Sequence, residues 1–211
     1  GSAVSMLASS YLAPRYGWVW AYLSRCQLTL GDFKSAADSI KKAVALEPEC
    51  GWIRAWHGEF LRRTGDVAGA AKALDRALKL FPDYELAYAW RGSARRILGD
   101  SRAALADLGV AIALKPHTLD LCYFERMQAL RALGRVGDAL EDIQRASALN
   151  PKYVWEAEPK RFGQGLKELD AEIKRSPGNA LARLWRGDIM MRLRDFPRAE
   201  LETAGWQLAV H

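Results

Sequence analysis

Apolar residues recur down this chain at spacings of four and three. Ala36, Ile40 and Ala43 form one such set. Ala70, Leu74 and Ala77, then Ala104, Leu108 and Ala111, then Ala139, Ile143 and Ala146 repeat it. Residues three and four apart share one face of a helix. Each set therefore predicts a helix whose apolar stripe is built of small residues and can approach a neighbour closely. The helix ahead of each set carries its own small column, Ser24, Gly58 and Gly92, with Met127 as the exception and Gly187 continuing it in a later helix. No stretch alternates apolar and polar residues as a strand would, so the fold class is all-α.

The punctuation between these stripes repeats as well. Gly31-Asp32, Gly65-Asp66 and Gly99-Asp100 stand ahead of the first three sets, and Gly134-Arg135 ahead of the fourth. Glycine can end one helix in the left-handed conformation, and aspartate can cap the next. Leu12, Leu46, Leu80, Leu114 and Leu149 each stand two residues before a proline, where the second helix must stop. Pro14, Pro48, Pro82 and Pro116 are 34 residues apart; Pro151 follows after 35 and Pro177 after 26. A period near ~34 marks a helix–turn–helix repeat rather than a single globular core.

With the Gly31-Asp32-Phe33 turn, the Arg91-Gly92 and Arg186-Gly187 pairs, the alanine columns and the recurrent Leu-x-Pro, the chain resembles the tetratricopeptide repeat family over most of its length. The resemblance implies a right-handed α-α superhelix, a solenoid in which helix A of each unit lines a concave face. Four regular units are expected at 17–50, 51–84, 85–119 and 120–153. Residues 154–179 read as a degenerate short unit with a shortened or broken helix A, because Pro159, Gly163 and Gly165 fall there. Residues 180–211 read as a final unit, and the whole as one continuous solenoid. Gly1-Ser2 reads as a cloning remnant. Residues 1–16 read as the helix B half of an earlier unit, so a piece of a longer array or a larger protein is expected. Leu201, Trp206, Leu208 and Val210 leave an apolar surface where a capping helix should be polar, which suits self-association.

In the phase implied by the resemblance, one stripe of each helix A faces the groove and would hold a partner. Trp18, Tyr22 and Arg25 form it in the first unit, and Trp52, Trp56, Arg62 and Arg63 in the second. Trp90 and Arg96 form it in the third, Gln128 and Arg131 in the fourth, and Trp185 and Arg192 in the last. An aromatic column and an arginine column thus run side by side. Tryptophan and arginine are frequent interface anchors, and arginine can grip a carboxylate with two parallel hydrogen bonds. The expected partner is another protein or an extended peptide, with acidic or carboxylate-bearing character. The same aromatics would also serve as packing between units, and the same arginines as a solvated face. Glu59 and Ser93 occupy places where a chaperone-tail clamp would need amide or basic groups, so chaperone binding is not expected.

Composition changes this picture little. The 31 Lys+Arg against 25 Asp+Glu leave +6, a mildly basic balance that favours acidic partners without implying nucleic acid. Three cysteines, Cys26, Cys50 and Cys122, make a poor disulfide framework and suit a reducing, cytoplasmic compartment. The apolar run from Met6 to Leu23 is broken by Pro14, Arg15 and Gly17, so no membrane span is expected. His57 and Cys50 lack the further spacing that a zinc site needs, and no phosphate loop or nucleophile elbow is present. No catalytic residue, metal or cofactor is therefore expected. A protein-interaction scaffold is the leading function. A substrate-docking region of a larger enzyme such as a glycosyltransferase, and an RNA-binding helical repeat, are the alternatives.

Overall fold

The computed structural model describes residues 15–115, 117–156 and 161–195. Among these, every regular element is a helix: α1 Gly17–Thr29, α2 Phe33–Leu46, α3 Gly51–Arg63, α4 Val67–Leu80, α5 Glu85–Ile97, α6 Ser101–Ala113, α7 Leu119–Ala132, α8 Val136–Leu149, α9 Phe162–Arg175 and α10 Ala180–Asp195. The chain divides into two compact units, Gly1–His117 and Thr118–His211. The expectations for residues 1–14, and for the apolar surface at Leu201, Trp206, Leu208 and Val210, fall outside the described residues.

In the N-terminal unit, α1–α2, α3–α4 and α5–α6 form three helical hairpins. The turn chemistry closes each one. Gly31, Gly65 and Gly99 sit at φ +80°, +96° and +87°, the left-handed region that a side chain would strain. Asp32, Asp66 and Asp100 then accept hydrogen bonds from the backbone N–H of Ser35, Gly69 and Ala103, capping the second helix. The alanine-rich stripes all point inward: Ala36, Ile40, Ala43, Ala70, Leu74, Ala77, Ala104, Leu108 and Ala111 are buried. Gly58 shows why the facing column is small. A Cβ there would stand 2.5 Å from Leu74 Cγ, and one at Gly92 would stand 2.7 Å from Leu108 Cγ. The Leu-x-Pro leucines behave differently, since Leu46, Leu80 and Leu114 are exposed at the hairpin ends.

Successive first helices also touch: α1 packs on α3 and α3 on α5. Among the described residues, no comparable contact joins α2 to α4 or α4 to α6. The first helices of the hairpins therefore form the tighter layer, called here the inner one. A partly buried ion network ties this layer to the second helices of the hairpins. Arg91 on α5 bonds Asp107 on α6 with two hydrogen bonds of 2.7 and 2.9 Å and Asp75 on α4 at 2.7 Å, and Arg95 adds bonds to both acids.

The caps make a pH prediction. Hydrogen bonds from Ser35 hold the Asp32 carboxyl below its usual range. A group with a depressed folded pKa stabilises above its unfolded value, and that contribution is lost as pH falls through the folded value. Asp32→Ala should thus lower the melting temperature at neutral pH, with the deficit closing as pH drops below the ordinary carboxylate range. Thermal melts at neutral pH and at a pH below that range check this.

The C-terminal unit begins with the hairpin α7–α8 around Gly134, φ +71°. Arg135 stands where the capping aspartate would be and makes no cap; it pairs instead with Asp138 at 2.6 Å. Ala139, Ile143 and Ala146 are buried as in the other stripes. Beyond α8 the pattern breaks. Residues 150–156 hold no helix, and two of their side chains, Trp155 and Glu156, are buried. Next, α9 packs with α10, and both contact α8. On α9, Leu169 keeps the buried register, but Glu172 replaces the last alanine, buried and bonded to Arg175 and Asn179.

Candidate functional site

The inner layer of the N-terminal unit gathers most of the stripe residues. On α1, Trp18 is 56% exposed. One turn on, Tyr22 is half-buried, and Arg25 folds over it with its guanidinium carbon 4.3 Å from the ring centroid. Arg25 Nη2 donates to Tyr22 Oη at 3.0 Å, and the same guanidinium lies 5.2 Å from the Trp56 ring on α3. Because α1 packs directly on α3, residues about one repeat apart in sequence become neighbours.

From Trp56 the aromatic contacts continue. Trp52 meets it at 5.9 Å, and Trp90 on α5 meets it edge-on at 4.9 Å. Tyr84 then stands perpendicular to Trp90 at 6.2 Å and stacks on Phe81 at 5.4 Å. Such offset and edge geometries are the favoured ones for ring pairs. Trp90, only 9% exposed, belongs to the core, whereas Trp52 and Trp56 are half-buried and lie between core and surface. Burial pushes the Tyr84 phenol above its usual range, so it stays neutral.

The arginine column is less uniform than its spacing suggests. Arg62 is already gripped by Glu59, one turn back, through bonds of 2.7 and 2.9 Å, and it also reaches Ser93 on α5 at 3.5 Å. Arg63 is exposed and Arg96 half-buried. Glu59 lies on the same stripe, and what the stripe reading missed is its pairing with Arg62, although an i,i+3 acid–arginine pair on one helix signals it.

In the C-terminal unit the named residues lie on α7 and α10. Gln128, Arg131 and Ala132 on α7, with Arg161 and Glu168, line a polar cavity of about 210 Å³. Arg131 lies 4.6 Å above the Trp155 ring, donates to the Trp155 carbonyl at 3.1 Å, and pairs with Glu168 at 2.7 Å and Glu156 at 3.4 Å. Arg192 donates to the Glu156 carbonyl at 2.5 Å and lies over Phe162. Trp185 is buried core, with its Nε1 unpartnered among the described residues. Arg131 and Arg192 are thus occupied in holding residues 155–156 in place.

Among the described residues, no group of His, Cys, Asp and Glu could hold a metal ion. Cys122 is buried, and burial pushes its thiol up to about 11, which makes it a poor nucleophile. Half-buried His57 is held below its usual range by desolvation and then by Arg54. No helix among the described residues is long and apolar enough to cross a membrane.

The profile of the tetratricopeptide repeat matches residues 23–85, 57–117 and 160–204. The chain belongs to the tetratricopeptide repeat family. No curated protein matches the sequence. Among solved structures, PilW, a widely conserved type IV pilus biogenesis factor, is similar with a TM-score of 0.71 at 20% identity, over 96% of this chain and 89% of that one. A thermophilic tetratricopeptide repeat protein of Thermus thermophilus has a TM-score of 0.60 at 18% identity, over 90% of this chain and 89% of that one. MamA has a TM-score of 0.58 at 21% identity, over 72% and 88%. At these identities the likeness is one of fold. As a tetratricopeptide repeat protein, the chain is in general terms a protein-interaction scaffold.

Proposed function

We propose that the inner layer of the N-terminal unit, α1, α3 and α5, binds an extended segment of a partner protein, and that this segment carries carboxylates. The observation that supports this most is the surface from Trp18 through Tyr22 and Arg25 to Trp56. It combines an exposed indole, half-buried rings and a guanidinium on two adjacent helices. Large rings supply contact area at little entropic cost, and arginine supplies a planar donor fork. Arg63 and Arg96 extend the positive charge along the same layer, while Trp90 and Glu59 hold the rings and Arg62 in place from beneath. In the C-terminal unit, Gln128 and Arg131 line the cavity, and Arg192 bonds the Glu156 carbonyl. The chain acts by binding and not by catalysis, whether it stands alone or serves as the docking region of a larger enzyme.

The test uses a partner captured with the intact protein from the source cell. Trp18→Ala combined with Arg63→Glu should weaken its binding about tenfold or more, as removal of an interface anchor does. Arg76→Glu, on the outer helix α4 and paired there with Glu49, should leave it unchanged. Calorimetric titration reads both, and equal affinity for the Trp18/Arg63 variant would refute the assignment of this face.

A further inference from the structure

Six arginines among the described residues lie over an aromatic ring. Five of them also pair with a carboxylate: Arg91 with Asp75 and Asp107, Arg126 with Asp142, Arg131 with Glu156 and Glu168, Arg145 with Glu141 and Asp142, and Arg192 with Asp188. Arg25 is the sixth. It is held by two rings, Tyr22 and Trp56, and by one hydrogen bond to Tyr22 Oη, and no carboxylate of the described residues pairs with it.

The geometry points to Arg25 as a receptor for a carboxylate that none of the described residues supplies, the side chain of an aspartate or glutamate in a bound segment. This rests on the reading of the inner layer as the partner face and makes it specific. A guanidinium carries five N–H donors, and Tyr22 takes one. A carboxylate needs two in parallel, and Arg25 keeps donors for them. The two rings restrict the side chain beforehand, so little freedom is lost when the acid docks. The C-terminal unit shows the completed arrangement in the chain's own residues: Arg131 lies on Trp155 and is closed by Glu168 and Glu156. At Arg25 the guanidinium and the rings are present, and no acid among the described residues closes them.

The position of Trp18 adds a spacing. It precedes Arg25 by seven residues on α1, about 10.5 Å along the helix. An extended segment covers about 3.3 Å per residue, so a segment lying along α1 meets Trp18 with an apolar residue about three places from the acid.

Arrays of fluorescent octapeptides test this, each with a fixed central glutamate, glutamine or lysine, mixed flanking residues and an amidated C-terminus. A fourth array has central glutamine and a free C-terminal carboxylate. Binding to the intact protein is read by anisotropy. The expected result is at least tenfold tighter binding of the glutamate array than of the glutamine array, with leucine or an aromatic selected three places away. Preference for the free-terminus array over the glutamate array would overturn the side-chain assignment. Arg25→Gln should bring the glutamate and glutamine arrays to equal affinity with the helical circular dichroism unchanged. Arg25→Lys, which keeps the charge without the fork, should retain only part of the ratio. If Arg25→Gln and Arg25→Lys both keep the wild-type ratio, Arg25 is not the receptor, although the inner layer still binds. If the wild-type protein binds none of the arrays, the partner face itself falls.

Discussion

Asp142→Ala should lower the stability of the C-terminal unit by about 3 kcal/mol, at the lower end of the cost of breaking a buried ion pair. The Asp142 side chain is 1% exposed and accepts two bonds from Arg126, at 2.6 and 2.7 Å, and one from Arg145 at 3.2 Å. The alanine would leave the half-buried Arg126 fork without its acceptor. That is the costly half of the pair, because the desolvation of the charge remains while its partner is gone. The bond to Asp142 is also what raises the Arg126 pKa, so Arg126 stays charged. Two comparisons sharpen the test. Asp138→Ala removes an acid from the exposed pair with Arg135 and should cost under ~1 kcal/mol. Replacing both partners, Arg126→Met with Asp142→Leu, should cost less than Asp142→Ala alone, since no charge is stranded. Urea unfolding followed by circular dichroism measures all three. A cost for Asp142→Ala no larger than that for Asp138→Ala would show that the pair contributes nothing of note.

This ion pair shows what the sequence makes legible and what it hides. The alanine columns and the Gly-Asp turns were readable because they are local: the helical period and a cap need only neighbouring residues. Arg126 and Asp142 are 16 apart, as are Arg91 and Asp107, and each pair meets only because the hairpin turn sets the register between two helices. Once the turn is placed, the repeated spacing could have been found. The site divides in the same way. The α1 stripe of Trp18, Tyr22 and Arg25 follows from spacing along one helix. The depth of each tryptophan does not, because it depends on contacts between helices, such as those of Trp90 with Trp56 and Tyr84. Trp18 is exposed where Trp90 is core. Nor did the arginine column show that Glu59 already fills the Arg62 fork, since that requires the rotamers of both side chains.

Trp155 lies beyond any column, and the largest single loss is expected there. Trp155→Ala should destabilise the C-terminal unit by about 3–5 kcal/mol, as expected when a large aromatic is removed from a packed interior. The side chain is 1% exposed, and a Cβ placed on Gly165 of α9 would touch its Cδ1 at 3.5 Å. Its indole has Arg131 of α7 on one side and Gly165 of α9 on another. The void would not be the only loss, because Arg131 rests on the ring and would lose its platform. Trp155→Phe keeps a ring and most of the volume, and should cost about 1–2 kcal/mol. Trp18→Ala, on an exposed indole, should cost at most ~0.5 kcal/mol and serves as the control. Hydrogen exchange adds a local readout: Trp155→Ala should speed exchange in α9 while leaving α3 and α5 of the N-terminal unit unchanged. A Trp155→Ala protein as stable as Trp18→Ala would mean that residues 150–156 are a passive connection, and that α9 is held by α8 and α10 alone.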